Sequence, residues 1–296
     1  MSLPLVSIVI PSYKPAHFEA CLKSALGQSY PNIEIMVSDN CPTEAIKEIC
    51  ARYTGHLIYQ RNSALREQNV LTALFGAKGQ LIKPLFDDDV LHPFCVERMV
   101  ATMNMDPAIQ LVFSSSQVIN VDNERTELRR PYQASGSMDA RDMQRSMVLG
   151  MRNFIGEFTS IMFRRERLWE VGRHLFRYHN HDCTLGLADV ATYFNLARDG
   201  KVFYIDEELS YFRHDQRLES NSNINSNPNF GYCFSDYIDL LIESCDIGMV
   251  APEELAAMQP TVDDVAARLS GVFPMVARSQ QRYHQVLAAQ REGAAS

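Results

Sequence analysis

The 296-residue chain has no excess of positive charge, no paired cysteines and no long apolar run. Each absence removes a class of function. A formal net charge of −8 excludes a non-specific nucleic-acid binder, which needs a basic surface for phosphates. It still allows a local basic pocket for a phosphorylated small molecule. Seven cysteines, at positions 21, 41, 50, 95, 183, 233 and 245, are odd in number and include no C-x-x-C pair. That is the pattern of reduced thiols, not of a disulfide framework or a zinc knuckle. The opening MSLPLVSIVIPSYK has no basic region ahead of its apolar stretch and no small-residue cleavage site. Val6–Ile10 is too short to cross a bilayer, and no later run approaches the ~20 residues required. A cytoplasmic protein without a transmembrane segment is expected, with peripheral contact at the inner face of the membrane allowed. There is no internal repeat, and the one biased stretch is the Asn/Ser-rich RLESNSNINSNPNF.

What is present describes a globular protein with a sizeable core: 46% hydrophobic and 22% charged residues. Val6–Ile10 is a β-branched run interrupted only by Ser7, as in a strand buried on both faces of a parallel sheet. A helix is predicted over His17–Gln28, with Phe18, Cys21, Leu22, Ala25 and Leu26 on one face. Ile33–Val37 is a second strand, and Thr43 is placed to cap a helix carrying Ile46, Ile49 and Cys50. His56–Gln60, Leu81–Phe86 and Leu111–Phe113 are further strands, with helices over Asn69–Lys78 and Phe94–Met103 between them. This alternation predicts an α/β fold, a mostly parallel sheet with helices on both faces. Ligands bind such sheets outside the carboxyl ends of the strands. Ser12, Asp39, Arg61 and the aspartates Asp87, Asp88 and Asp89 all fall at such ends.

From 121 the pattern loosens. The polar stretch 122–142 reads as a surface excursion, Met138–Leu149 as a helix, and Thr159–Phe163 as a strand that extends the sheet antiparallel. Leu185–Arg198 is an amphipathic helix closed by Gly200, KVFYI and LSYF are two short strands, and 217–230 is a loop or lid. Arg164, Arg165 and Arg167 read as a solvated helix start. The run HNHDC offers His179, His181 and Asp182, but polar surface is the expectation there. Residues 232–292 are mostly helix-forming.

The most informative stretch is LIKPLFDDDVLHP, residues 81–93. Three adjacent carboxylates repel one another, and a buried strand end is a costly place to keep them. They suit a hard divalent cation, which takes oxygen ligands and bridges to phosphate oxygens. They equally suit a solvated acidic turn or a helix cap.

VSIVIPSYK, CLKSALGQSYPNIEIMVSDN and FDDDVLHP, in that order and spacing, resemble family 2 glycosyltransferases of the GT-A fold. The resemblance is strong over 5–105 and continues more faintly to about 215. It implies a GT-A catalytic domain over 1–230, with a nucleotide-sugar-binding half at 1–120 and an acceptor-side half at 121–230, then a helical extension over 231–296. Residue by residue, it implies that Pro11, Ser12 and Tyr13 touch the nucleoside and that Asp39 contacts the base or ribose. Alignment on His92-Pro93 makes Asp88 the metal ligand, with Asp87 and Asp89 beside it, and puts Phe86 where the family often has its first aspartate. Asp89 and His214 are further candidate metal ligands. Asp189, eleven residues before Gly200, matches the general base, although Ala188 replaces the usual glutamate. Arg213 matches a diphosphate contact, Arg61 borders the nucleotide, and Glu157 lies where acceptors are met.

The activity implied is inverting transfer of a sugar from a UDP, dTDP or GDP sugar to a hydroxyl of a glycan, lipid-linked sugar or protein, with Mg2+ or Mn2+. Bacterial polysaccharide or glycoconjugate synthesis is the expected setting, and a homodimer is compatible with it. Two alternatives are a nucleotide-sugar-binding module without turnover and a nucleotidyltransferase. The second would want a glycine-rich basic loop after the first strand, and PSYKPAH has no glycine.

Overall fold

The computed structural model describes residues 3–215, 227 and 229–295. The apolar run at the N-terminus is the heart of β1 (Val6–Ser12), buried along its whole length. It is followed in strict alternation by α1 (Phe18–Leu26), β2 (Ile33–Asp39), α2 (Ala45–Cys50), β3 (Leu57–Arg61), α3 (Glu67–Gly76) and β4 (Leu81–Pro84). Next come β5 (Val90–Leu91), α4 (Cys95–Met103), β6 (Ile109–Ile119), β7 (Arg125–Arg129), β8 (Gly136–Asp139) and α5 (Ala140–Gly150). The chain continues through β9 (Ile161–Arg164), α6 (Arg165–Val171), β10 (Arg177–Tyr178), β11 (His181–Asp182), α7 (Ala188–Ala197) and β12 (Lys201–Arg213). It closes with α8 (Phe230–Asp246), α9 (Pro252–Ala257), α10 (Gln259–Leu269) and α11 (Pro274–Ala295). None of the described helices is long and apolar enough to cross a membrane.

The chain divides into two compact units. One comprises Met1–Asp139, Ile155–Arg173 and Leu196–Asp215; the other comprises Ala140–Phe154, His174–Asn195 and Gln216–Ser296.

The first unit holds the sheet, in the order β3-β2-β1-β4-β9-β6-β12-β5, with β7 beside β6 and β8 beside β12. The strands β1–β4 are mutually parallel, β6 and β12 are parallel to each other, and β9 is antiparallel to both β4 and β6. Alternation along the strands sets the two faces. Ile8, Ile10, Ile35 and Val37 share one core with Phe18 and Leu22 of α1 and with Cys95 and Met99 of α4. Met36 points the other way, toward Gly76 at the end of α3. This is the α/β architecture expected, and the antiparallel β9 is found where the sequence placed it, after a single turn of 3-10 helix over Phe158–Ser160.

Several local expectations are corrected. The excursion at 122–142 contains β7 and β8, which pair with buried strands, although β7 itself is largely exposed. KVFYI and LSYF are one strand: β12 absorbs Asp206 and Glu207 as an irregularity in its register against β6 and continues. β4 stops at Pro84, two residues earlier than expected, although Leu85 N–H still donates to Val9 O at 2.9 Å. Glu44, not Thr43, is the residue at the start of α2. Arg164 is no solvated helix start, since its guanidinium binds the carbonyls of Met103 and Ile109 at 2.9 and 2.8 Å. The expected loop at 217–230 lies outside the described residues except for Asn227, Asn229 and Phe230.

The second unit is helical, with the β10–β11 hairpin. Its long helix α8 buries not only Ile238, Leu241 and Ile242 but also Asp236, Asp239 and Glu243. Each buried carboxylate is met. Arg282 of α11 donates to Asp239 at 2.8 Å and to Glu243 at 2.6 Å, and His179 binds Glu243 at 2.7 Å. The C-terminal helices are therefore joined by ion pairs as well as by apolar contact.

Two measurements check these contacts. At Gly79 a Cβ would stand 2.5 Å from Ser7 N and 2.8 Å from Leu5 O. Gly79→Ala should therefore lower unfolding free energy by about 1–3 kcal/mol, as overpacking does; an unchanged denaturant midpoint would contradict the close approach. Burial alone would push the Glu243 carboxyl up, but hydrogen bonds from Arg282, His179 and Asn180 outweigh it and hold it below the usual range. Its contribution to stability is then full above the ordinary glutamate value of about 4.3 and lost as pH falls through the lowered one. Glu243→Gln should thus destabilise at neutral pH by about 1–3 kcal/mol, and the difference from wild type should close on acidification.

Candidate active site

Between β4 and β5 the chain makes a tight turn through Asp87, Asp88 and Asp89, and each carboxylate meets a different part of the first unit. Asp87 Oδ2 accepts the backbone N–H groups of Tyr13 and Lys14, both at 2.6 Å. Those are the two residues after β1, so one carboxylate ties the end of β1 to the acidic turn. Burial pushes the Asp87 carboxyl up to about 6, with the Asp88 charge acting in the same direction and the two N–H donors opposing both. Two units of pKa correspond to about 3 kcal/mol against the ionised form. Burial wins over two good hydrogen bonds.

Asp89 is fully buried. Its Oδ1 accepts Arg213 N–H at 3.0 Å and its Oδ2 accepts the Thr159 hydroxyl. Burial, and then the Asp88 charge, push this carboxyl well above the usual carboxylate range. Asp88 is the one of the three that is not buried. Lys14 Nζ lies 3.5 Å from its Oδ2. Asp88 is therefore the carboxylate presented outward, and its neighbours are occupied inside the fold.

The C-terminal end of β2 is equally committed. Asp39 is fully buried, accepting Cys41 N–H at 2.7 Å, Tyr59 OH at 2.7 Å and Arg61 Nη1 at 3.3 Å. Arg61 also donates to the carbonyls of Cys41 and Thr43, both at 2.9 Å. Burial and the Asp39 bond push the Tyr59 phenol up to about 12, so it stays a donor. Pro11 and Ser12 are buried residues of β1, registered against Ser38 and Asp39 of β2. Tyr13 is 53% exposed. The described structure thus brings Pro11, Ser12, Tyr13, Asp39, Arg61 and the acidic turn together at one edge of the parallel strands, by registered pairing and by the Asp87 bonds.

Arg213, expected at a diphosphate, is 3% exposed, and each of its three nitrogens is engaged within the unit. Nε donates to Asp88 O at 2.9 Å, Nη1 to Asn120 O at 2.8 Å and Nη2 to Asn123 Oδ1 at 2.7 Å. His214, the next residue, is exposed and gives its backbone N–H to Ile119 O at 2.9 Å. Residues two apart face the same side: the inward position after Arg213 is held by Asp215, whose carboxylate lies 3.1 Å from His17 Nε2. Glu157 pairs with Arg129 through Oε1, while its Oε2 is buried with no hydrogen-bond partner. The Glu157 charge also acts on Asp89.

Asp189 belongs to the second unit, in the first turn of α7. Asn153 Nδ2 donates to its Oδ2 at 2.7 Å and Val190 N–H to its Oδ1 at 2.8 Å. Phe86, in place of a further aspartate, packs edge-on against Phe158 at 5.8 Å.

Sequence reasoning missed three residues here. Lys83 is fully buried in the strand below the turn, and its Nζ donates to the carbonyls of Pro84, at 3.0 Å, and Thr159. Burial holds its ammonium below the ordinary lysine range. Thr159 links it to the turn, accepting Phe86 N–H at 3.2 Å and donating to Asp89. A lysine inside the apolar run LIKPLF was the available signal for the first. Lys14 was visible only as an isolated charge, and nothing local marked Thr159.

Comparison with known proteins bears on the family and the fold. The model of Glycosyl transferase family 2 matches residues 7–172. The uncharacterized protein MT1568 of Mycobacterium tuberculosis is 28% identical over 232 residues, covering 73% of this chain and 69% of that protein. The putative teichuronic acid biosynthesis glycosyltransferase TuaG of Bacillus subtilis is 24% identical over 217 residues, 71% of this chain and 79% of TuaG. A chondroitin synthase of Pasteurella multocida is 28% identical over 126 residues, but the match covers 40% of this chain and only 13% of that protein. Among solved structures, S. aureus TarS 1–349 in complex with UDP-GlcNAc superposes with a TM-score of 0.60 at 11% identity, over 97% of this chain and 92% of that one. That likeness shows the fold. The family match spans more than half of the 296 residues, and the chain belongs to glycosyl transferase family 2.

Proposed function

We propose that the protein transfers a sugar from a nucleoside-diphosphate sugar to an acceptor hydroxyl, with inversion at the anomeric carbon. The observation that carries this reading is the acidic turn pinned by Asp87 to the end of β1, beside the Asp39 loop of β2, in a chain of this family. Uridine diphosphate sugars are the donors to try first, because the TarS structure of the same fold was solved with one.

Asp39 and Arg61 act as positioning residues: their bonds hold the 39–43 loop in one shape for a base or ribose. Tyr13, exposed at the end of β1, offers a ring for the nucleoside. Lys14 carries a positive charge toward a diphosphate, a task that Arg213 leaves to it while bracing the turn from behind. Oxygen ligands suit either Mg2+ or Mn2+, and the one outward carboxylate fits such an ion at Asp88. Asp89 supports from within, and His214 lies outside this set. When bound, the ion would neutralise charge building on the departing nucleoside diphosphate.

Asp189 is assigned the general base. Asn153 fixes one oxygen, and a carboxylate so oriented takes the proton of an acceptor hydroxyl as that oxygen attacks the anomeric carbon. Attack from the face away from the leaving group inverts the centre. The buried, unpartnered oxygen of Glu157 is an acceptor atom without a donor, which a sugar hydroxyl would satisfy.

Two variants separate the roles. Asp189→Asn should cut transfer by on the order of 10²–10⁴-fold and leave the donor-induced rise in Tm intact. Asp88→Asn should abolish the Mn2+-dependent part of that rise. No stabilisation by UDP, dTDP or GDP sugars, with or without metal, sinks the donor assignment. Donor binding without transfer or hydrolysis across a broad acceptor panel would instead make the protein a binding module.

A further inference from the structure

The second unit gathers a set of donors that the proposed sugar transfer does not use. His181 lies in β11, Cys183 follows two residues later, and Asp236 faces them from α8. His181 Nε2, Cys183 Sγ and a carboxylate oxygen of Asp236 lie within 4.8 Å of one another. Ligand atoms around a tetrahedral zinc are spaced by about 3.3–3.8 Å, given bond lengths of about 2.0–2.3 Å. Small side-chain rotations therefore close the set around one ion.

The frame behind the three donors is already fixed. Leu187 N–H donates to Asp236 Oδ2 at 2.9 Å, and Cys183 N–H to Phe176 O at 2.9 Å. Gly186 approaches α8 so closely that a Cβ would stand 2.4 Å from both Asp236 Oδ2 and the Tyr232 carbonyl carbon. Cys183 and Asp236 are buried, at 0% and 1% exposure, and the His181 side chain, at 18%, reaches the solvent. An ion would enter past the imidazole. The set is not the one that the run HNHDC suggests. His179 is committed to Glu243, and Asp182 is exposed and bonded to Thr184 N–H at 3.0 Å.

We propose that His181, Cys183 and Asp236 bind a zinc-class divalent cation that clamps the turn after β11 onto α8. A thiolate with an imidazole selects zinc over the hard cations that oxygen-only sites take. The chemistry balances simply: the thiol proton of Cys183 leaves to water, and the proton on His181 Nε2 leaves to water from an imidazolium or moves to Nδ1 in the neutral ring. The direct hydrogen bond from His181 to Asp236, at 2.9 Å, becomes two bonds to the ion. Burial, and then the charge of Asp236, push the Cys183 thiol far up, so without a cation it remains protonated. Three protein ligands leave one position for water. The clamped segment runs directly into α7, on which Asp189 sits, so the ion would also stiffen the approach to that residue.

The test uses the full chain, stripped with chelator under a thiol-free reductant and given Co2+ or Zn2+ alone. Wild type and Asp88→Asn should both show a thiolate-to-cobalt charge-transfer band and retain about one zinc per chain through gel filtration. Cys183→Ser should lose the band and the zinc. If that variant does not fold, His181→Gln, at the solvent edge, should weaken zinc binding by at least roughly tenfold with an unchanged circular dichroism spectrum. Absence of the band in folded wild type overturns the proposal. So does a band that survives in folded Cys183→Ser, or zinc binding unaltered in His181→Gln.

Discussion

Three adjacent carboxylates at the mouth of a buried strand persist only where protein donors meet them, and the first unit is arranged around that requirement. Asp87 is met by the backbone after β1, Asp89 by Thr159 and by the backbone of β12, and Asp88 by a lysine near the surface. These partners come from segments far apart in sequence. The turn therefore acts as a knot joining β1, β4, β12 and the 3-10 segment before β9. Ionised carboxylates cost several kcal/mol each to bury, so the knot is strained electrostatically even though it is well bonded. The raised pKa of Asp87 reports that residual cost.

Much of this was legible in the chain. A two-faced apolar strand, helices with one apolar face and the strand-end clustering of Ser12, Asp39 and the aspartates follow from periodicity. The architecture of the first 120 residues followed with them. What was not legible is mostly long-range. Nothing near Arg213 indicates that its side chain turns back to Asp88 O, Asn120 O and Asn123, and nothing near Thr159 marks it as the partner of Asp89. Strand register also lies beyond local pattern. The charges Asp206 and Glu207 read as a break between two strands, yet β12 tolerates them as an irregularity. The polar stretch at 122–142 hid two strands because β7 is exposed along most of its length and β8 is short, so neither shows an apolar alternation.

The same limit applies in the second unit. Seven scattered cysteines without a C-x-x-C pair read as reduced thiols, and in the fold none is joined to another. Spacing along the chain, however, cannot show that Cys183 and Asp236, more than fifty positions apart, share a buried corner with His181. From sequence, the region of helix α8 reads only as helix-forming. In the fold its buried side includes three carboxylates, and the partners that make this tolerable arrive from the hairpin and from α11.

Phe86, where the resemblance to the family puts an aspartate, has an electrical consequence. Three carboxylates at the turn stand among three cationic side chains, Lys14, Lys83 and Arg213. Those cations offset part of the turn's negative charge before any ligand arrives. On the proposed function, a divalent ion at Asp88 would add further positive charge, and a nucleoside diphosphate would bring the anionic oxygens that balance it. Ion and donor would then bind as one charge-compensated package, each weaker without the other.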